Sequence, residues 1–463
     1  MKKLLIFINC FILILPLFTN IVSAGSSKGA YNIEAPEYES EIALLVNVDT
    51  DTVIYSKNAD KVTAPASLTK IVTALVVLDK GDSLSTQITC SKEAVDSILG
   101  TGSSIAGLYA GEKTTLEMLL YCLFLVSGND AAAVFAYHYG KGDPQVFVDE
   151  MNAYVEKIGC KNTYFANPHG LDDENDPGFT SENQSRTTAN DMYIIAKHAL
   201  ENETIKKIST KYGKTMPKTN KSDVRYLYNT NPLLNEYSYY YYPGVVGLKT
   251  GTTDKAGACL VSSATKNGYT YISIAMQGVT NYYLDGEARN TAYLTCRFML
   301  KWAFENMEMK ILADTERILG EAPVEYGRGY DYVSLVPSEA VKAVVLNDVT
   351  IDELSVKFSD SFPEKVKAPI DEGEEVGKAY LMYNDVVITE VTLVAGHTVK
   401  KNYIWAMFNW VLKLVKSPAF YVGIIVLALL LCVFFSTTKK QRKQKKRQKN
   451  TIHIVSDYSK LGR

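Results

Sequence analysis

Two uncharged apolar runs near the ends of the 463-residue chain constrain its fold more than any other feature. The first run follows Lys2 and Lys3, and no charged residue appears from Leu4 to Ala24. A charged start, an apolar centre and the small residues at 22–24 are the parts of a secretory signal peptide. We therefore predict a signal peptide over residues 1–24. An uncleaved anchor helix is the alternative.

The second run, residues 417–438, is as long as the roughly 20 apolar residues that a membrane-spanning helix needs. Eight cations follow it: Lys439, Lys440, Arg442, Lys443, Lys445, Lys446, Arg447 and Lys449. Cations after a span mark the cytoplasmic side. We predict a transmembrane helix over 417–438 and a basic cytoplasmic tail over 439–463. Such a basic run is also typical of nucleic-acid-binding tails, but its place beside a span favours the topological role.

The part between the two runs is then exported and attached to the cell membrane by a single pass. Setting aside the two N-terminal lysines, the eight tail cations and a net +1 after residue 450 turns the formal charge of −2 into about −13. An acidic body of this kind is a poor partner for nucleic acid. Within residues 401–416, Trp405 and Phe408 belong to an apolar set spaced by three and four, which predicts an amphipathic helix in the membrane interface. An extension of the span is the alternative.

After a polar linker over residues 25–40, the exported part has two regions with different patterns of apolar residues. Over 41–310, strand patterns at both ends enclose helical patterns, among them an apolar helix from Leu68 to Lys80. This arrangement predicts an α/β or α+β domain. Over 313–397, short apolar runs alternate with polar turns, which predicts a small all-β domain.

Cysteine and histidine patterns give no reason to expect a metal or a cofactor. The body holds five cysteines at positions 90, 122, 160, 259 and 296, none in CxxC spacing, and the chain has no HExxH sequence. We expect these cysteines to be small buried apolar residues, and we predict no metal site and no cofactor.

Three short motifs carry the chemistry. Ser67 and Lys70 are three residues apart at the start of the apolar helix, so both side chains lie on one face. A serine hydroxyl needs a base before it attacks, and burial can lower the pKa of a lysine enough to make it that base. Ser127-Gly128-Asn129 follows about 60 residues later, and Lys249-Thr250-Gly251 about 120 residues after that. Each motif alone is weak, but the ordered set SxxK, SxN and KTG is typical of serine penicillin-binding proteins and class A β-lactamases.

The chain resembles the D-alanyl-D-alanine carboxypeptidases of the low-molecular-mass penicillin-binding protein family. The resemblance covers about residues 40–397 and rests on these segments: Ala64 to Lys70, Gly102 to Ser104, Ser127 to Ala132, Asn167 to Leu171, Asn229 to Asn231, Gly247 to Thr253, and Ala368 to Val394. It implies a serine β-lactamase/transpeptidase-like α/β (α+β) domain followed by a β domain. It also implies peptidoglycan stem peptides and β-lactam antibiotics as partners.

The resemblance also implies residue roles. Ser67 is the nucleophile, Lys70 its base, Ser127 a proton relay, and Asn129 a partner of Lys70 and of the substrate amide. The substrate-binding residues would be Lys249, Thr250, Gly251, Thr252 and Arg289, with the backbone N–H groups of Ser67 and Thr252 forming an oxyanion hole.

The chain departs from the family pattern in three places. Residues 172–186 are longer and more acidic than expected, Thr187 replaces a serine, and Arg289 aligns only across an insertion of about five residues. Five tyrosines within Tyr237–Tyr242 have no assigned role.

The sequence therefore predicts a membrane-anchored serine carboxypeptidase that removes terminal D-alanine from peptidoglycan stem peptides and so influences cell-wall maturation and cell shape. Two alternatives share the motifs. A class A β-lactamase adds a glutamate for deacylation, usually in an ExxLN segment, and we find none in a suitable place. A non-catalytic wall scaffold of the same fold would not need all the motif residues that are present.

Overall fold

The computed structural model describes residues 36–458 except Pro177 and Thr180. The predicted signal peptide and most of the predicted linker lie outside the described residues. The chain forms two compact units. The first runs up to Leu312 and includes Lys342–Ser355 and Leu381–Thr389, and the second comprises the remaining segments from Ala313 onward.

Eleven strands and eight helices are found in the described residues up to 306. The strands are β1 Ile42–Asn47, β2 Thr52–Lys57, β3 Gln87–Thr89, β4 Lys113–Thr115, β5 Gly213–Met216, β6 Arg225–Tyr228, β7 Val245–Thr253, β8 Gly257–Lys266, β9 Tyr269–Gly278, β10 Thr280–Tyr282 and β11 Ala288–Asn290. The helices are α1 Thr69–Asp79, α2 Lys92–Asp96, α3 Leu116–Phe124, α4 Asn129–Tyr139, α5 Pro144–Lys157, α6 Ala189–Glu201, α7 Glu203–Ser209 and α8 Thr291–Asn306.

An antiparallel sheet of order β2-β1-β9-β8-β7 forms the centre of the first unit. All six residues of β1 are buried, because the helices α6 and α8 both pack against β1 and β9. A strand covered on both faces reads as a continuous apolar run rather than an alternating one. The predicted α/β (α+β) domain is confirmed.

The predicted apolar helix is α1, which is buried along most of its length and packs against α3, α4, α5 and α6. It begins at Thr69, directly after a 3-10 turn at Ala66–Leu68 that holds Ser67. Helix α5 was not predicted, although Asp143 as N-cap and Pro144 in the first turn are standard start signals. Tyr38 and Ser40, at the end of the predicted linker, are buried.

The chain after residue 306 is β-rich up to Ala395, as predicted. Its elements are β12 Met307–Ala313, β13 Gly320–Glu325, β14 Tyr332–Pro337, β15 Val341–Leu346, β16 Ser355–Phe358, β17 Val366–Lys367, β18 Glu375–Tyr383, β19 Val386–Ala395, α9 Tyr403–Lys416 and α10 Pro418–Tyr458. Six strands form a sheet of order β16-β18-β19-β14-β13-β17. Burial alternates along β14, as expected for a strand with one face against a core.

The last described elements are two helices. Helix α9 begins after Asn402, whose side chain accepts from the N–H of Trp405, and most of its large apolar side chains are exposed. Within α10, Pro418–Arg447 is long and apolar enough to cross a membrane, and its most apolar window is not buried by protein. A helix of this composition is typical of a membrane span.

Candidate active site

Ser67 and Lys70 meet at the start of α1. The Lys70 Nζ lies 2.7 Å from Ser67 Oγ and 2.8 Å from the carbonyl oxygen of His169. Ser67 is partly exposed, whereas Lys70 is fully buried. The left-handed backbone of Ala66 (φ 47°) belongs to the turn that presents the serine. The hydroxyl is therefore accessible to a ligand while its amine neighbour is shielded from water.

The environment of Lys70 favours its neutral form. Burial lowers the pKa of Lys70 well below its usual value, the charge of Lys249 lowers it further, and Asp130 opposes the shift. A neutral amine has a lone pair that can take the proton of Ser67, whereas an ammonium has none. The site therefore holds a serine beside a base of the right protonation state.

Ser127 lies on the tight turn between α3 and α4, Asn129 is the first residue of α4, and both are almost fully buried. Ser127 has a left-handed backbone (φ 59°), and the N–H of Asn129 donates to the carbonyl of Ser104. The Asp130 carboxylate accepts from the N–H of Ala106. Among the described residues, Asn129 Oδ1 has no hydrogen-bond partner, so it is available to a ligand amide.

The KTG motif lies within β7 and packs against the turn that holds Ser67. A Cβ added to Gly251 would lie 3.0 Å from the backbone nitrogen of Ser67, so a larger residue here would have to push the strand and the turn slightly apart. The Lys249 Nζ is buried and donates to the carbonyl oxygen of Thr250 at 2.9 Å, and burial lowers the pKa of Lys249 to about 7. Thr250 is nearly buried, whereas Thr252 is exposed.

The loop after α5 completes the surroundings of Lys70. Gly170 has φ 85° and approaches the carbonyl of Ala66 so closely that an added Cβ would lie 1.8 Å from that oxygen. This contact places the neighbouring His169 carbonyl on Lys70. In the described part of segment 172–186, Lys255 Nζ donates to the carbonyl oxygens of Asp173 and Asp176 and to Gln184 Oε1.

Arg289 lies on the β10–β11 hairpin. Its guanidinium forms an ion pair with Asp285 and stacks on the rings of Tyr239 (4.2 Å) and Tyr283 (5.1 Å). In the described part of the chain, no hydrogen bond joins Arg289 to Ser67 or to the KTG strand. The structure therefore brings Ser67, Lys70 and the KTG strand into contact. Arg289 instead contacts Asp285 and the two tyrosine rings.

Three groups that contact site residues or the neighbouring loop were not predicted from the motifs: the His169 carbonyl, Lys255 and Thr230. Thr230 Oγ1 lies 2.6 Å from Thr250 Oγ1, and its sequence block was noticed without a role. The described residues contain no cluster of three or more His, Cys, Asp or Glu that could hold a metal. The five cysteines of the body are buried thiols.

A partly exposed serine beside a buried lysine, flanked by SxN and KTG segments, defines a serine enzyme of the penicillin-binding class. The family model described as "D-alanyl-D-alanine carboxypeptidase" matches residues 30–280, which is more than half of the chain. The model described as "Penicillin-binding protein 5, C-terminal domain" matches residues 308–401. The chain belongs to the D-alanyl-D-alanine carboxypeptidase family, and the resemblance drawn from the motifs is confirmed.

Individual relatives agree with this assignment. The chain is 31% identical to D-alanyl-D-alanine carboxypeptidase DacF of Bacillus subtilis over 87% of this chain and 95% of that protein. It is 28% identical to D-alanyl-D-alanine carboxypeptidase DacA of Haemophilus influenzae over 85% of this chain and 94% of that protein. The crystal structure of penicillin binding protein 5 from Haemophilus influenzae superposes with a TM-score of 0.60 at 27% identity, covering 80% of this chain and 100% of that one.

Proposed function

We propose that this protein is a serine D-Ala-D-Ala carboxypeptidase that removes the terminal D-alanine of peptidoglycan stem peptides through an acyl-enzyme on Ser67. The observation that carries the proposal is the 2.7 Å contact between Ser67 Oγ and the buried Lys70 Nζ in a chain of this family. The lowered pKa of Lys70 supports its role as the base. Lysines that are desolvated in this way are a recurring solution for serine activation.

Acylation proceeds in one addition and one elimination. Lys70 takes the Ser67 proton as Oγ bonds to the carbonyl carbon of the penultimate D-alanine. The oxyanion is stabilised by the backbone N–H groups of Ser67 and Thr252, a contribution of about 3–4 kcal/mol per donor in comparable enzymes. Ser127 relays a proton to the leaving nitrogen, the C–N bond breaks, and D-alanine departs. Water then attacks the ester carbonyl, the bond between the acyl carbon and Ser67 Oγ breaks, the shortened stem peptide leaves as a carboxylate, and Ser67 recovers its proton.

We assign substrate binding to groups on both sides of Ser67. We propose that Asn129 Oδ1, which is unpartnered among the described residues, accepts from a substrate amide N–H. Lys249, Thr250 and Thr252 bind the terminal carboxylate, and Gly251 keeps the strand close enough to Ser67 for both ends of the substrate to fit. Arg289, which the family pattern also assigns to this subsite, forms an ion pair with Asp285 in the structure.

The same proposal covers location and domain organisation. After the signal peptide over 1–24 and the linker over 25–40, the peptidase domain spans 41–310 and the β domain 313–397. Segment 401–416 lies in the interface, and 417–438 crosses the cell membrane with the tail over 439–463 in the cytoplasm. The single apolar helix of sufficient length in the described residues supports this topology. Trimming stem peptides beside the membrane would limit cross-linking of the cell wall and so influence cell shape.

Mass spectrometry of the purified full chain in detergent tests the proposal. The chain is incubated with penicillin, and D-alanine release is measured separately on a peptide ending in D-Ala-D-Ala. We expect a penicilloyl adduct on Ser67 and release of D-alanine, both lost in Ser67→Ala. Ser85→Ala is the matched control, because Ser85 is an exposed serine in a hydrogen-bonded turn.

The other outcomes separate the alternatives. Rapid penicillin hydrolysis with no lasting adduct would identify a β-lactamase. An adduct without D-alanine release would indicate a wall scaffold that keeps a reactive serine. If folded protein forms no adduct and releases no D-alanine, the enzyme proposal is refuted.

A further inference from the structure

Thr230 connects the two sides of the active-site cleft. Its backbone N–H donates to the carbonyl of Leu125 at 2.9 Å, two residues before Ser127. Its Oγ1 lies 2.6 Å from Oγ1 of Thr250, in the KTG motif. One residue therefore contacts both the turn that carries the SxN serine and the strand that carries the KTG lysine.

Two buried asparagines hold Thr230 in place. Asn229 Nδ2 donates to the carbonyls of Ser209 (3.0 Å) and Lys211 (2.9 Å), and its Oδ1 accepts from the N–H of Asn231. Both asparagines are buried, whereas Thr230 between them is exposed. The backbone is thus fixed by its neighbours, and the Thr230 side chain remains accessible.

The hydroxyl pair leaves one proton for a ligand. Each threonine hydroxyl has one O–H to donate, and a 2.6 Å O···O contact uses one of the two protons. The second O–H is left to donate elsewhere, and accepting a hydrogen bond polarises a hydroxyl into a better donor. The ammonium of Lys249 is close by, since its Nζ donates to the carbonyl oxygen of Thr250 at 2.9 Å. An O–H donor beside a cation is a suitable subsite for a carboxylate.

We infer that Thr230 is a specificity-determining residue of the subsite for the terminal carboxylate of the substrate. Its hydroxyl orients that of Thr250, and the free proton of the pair is donated to the carboxylate. The inference rests on the proposed carboxypeptidase function and adds to it a residue from outside the three motifs. A purely structural contact would instead hold the two sides of the cleft together and affect every step of the reaction.

Steady-state kinetics of D-alanine release by the full chain tests this inference. Thr230→Val keeps the shape and removes the hydroxyl, and Thr230→Ser keeps the hydroxyl. We expect Thr230→Val to raise KM about tenfold with kcat within about twofold of wild type, because it loses a hydrogen bond to a charged group. Thr230→Ser keeps that hydrogen bond and should have the KM of the wild type. Thr230→Ala provides a second hydroxyl-free variant if Val does not fold.

A second threonine pair supplies the control. Thr265 Oγ1 and Thr270 Oγ1 lie 2.8 Å apart where β8 turns into β9, at the end of the sheet away from the KTG motif. Thr265→Val should leave KM and kcat unchanged. A fall in kcat with KM unchanged in Thr230→Val, or unchanged kinetics, would overturn the inference while the wild type still releases D-alanine. No release by the wild type would instead refute the proposed function.

Discussion

Replacing Lys249 should raise the stability of the fold and weaken substrate binding at the same time. Its side chain is buried, it makes one hydrogen bond, to the Thr250 carbonyl, and burial lowers the pKa of Lys249 from 10.5 to about 7. Methionine has a similar length and no charge. We predict that Lys249→Met raises the free energy of unfolding at neutral pH and lowers the affinity for the substrate carboxylate.

The magnitude follows from the pKa shift. Each pKa unit corresponds to about 1.4 kcal/mol, so burial of this lysine costs roughly 4 kcal/mol at pH 7. Loss of the hydrogen bond to Thr250 offsets about 1 kcal/mol, which leaves a net gain of about 3 kcal/mol for the variant. A gain of this size corresponds to a rise in Tm of roughly 6–12 °C for a domain of this length.

The pH dependence of unfolding is an independent test of the predicted stability difference between Lys249→Met and wild type. Between pH 7 and 10 the unfolded state holds a proton on Lys249 that the folded state has lost, so wild-type stability rises with pH. The advantage of Lys249→Met is therefore complete below pH 7 and disappears as the pH approaches 10. The charge of Lys249 also lowers the pKa of Lys70, so the variant should need a higher pH for acylation.

The assay is thermal unfolding of the full chain at several pH values, together with the rate of penicillin acylation. Lys301→Met is the matched control, because Lys301 is half exposed on α8 and pairs with Glu305 at 3.8 Å. Replacing such a surface lysine should change stability by no more than about 0.5 kcal/mol. A variant less stable than wild type at pH 7, or a stability difference that does not change with pH, would refute the reasoning.

Three further predictions use other features of the site. When D-alanine release is measured from about pH 5 to 10, kcat/KM should fall at acid pH as Lys70 is protonated and above about pH 7 as Lys249 loses its charge. The fall of kcat at alkaline pH should occur at a higher pH, because the bound carboxylate stabilises the charge of Lys249. A flat profile would contradict these roles. Gly170→Ala should reduce D-alanine release at least about tenfold. Gly142 also has a positive φ, but a Cβ there would meet nothing within 4 Å, so Gly142→Ala should not reduce release. Equal effects of the two variants would exclude the close approach of Gly170 to Ala66 as the cause. Asp285→Asn should lower KM about two- to fivefold if the guanidinium it holds belongs to the carboxylate subsite; an unchanged KM would remove that guanidinium from the subsite.

Much of the fold was predictable because its signals are local. The apolar periodicity of α1, the strand patterns of β1, β8 and β9, and the alternation in the β-rich part each depend on a short stretch of sequence. Helix α5 was missed despite its capping signals. The β5–β6 hairpin has strands of four residues with one buried apolar side chain each, Met216 and Leu227, which is too short a pattern to distinguish from a loop.

The contacts of the site were harder to predict because their partners lie far apart in the chain. Lys70 and the His169 carbonyl are separated by 99 residues, and Lys255 is 71 to 82 residues from the groups that it binds. A backbone carbonyl has no identity in a sequence motif. Its role depends on the path of the chain, here on the close approach of Gly170 to Ala66.

The sequence by itself determined the placing of Ser67 and Lys70 on one helix face, since three residues of an α-helix bring two side chains together whatever surrounds them. It also determined the apolar runs at the two ends, whose length is fixed by composition alone. Only the tertiary structure decided the protonation state of Lys70. That state depends on desolvation by residues from many elements and on the charge of Lys249, 179 positions away, and electrostatic energy depends on distance in space rather than along the chain.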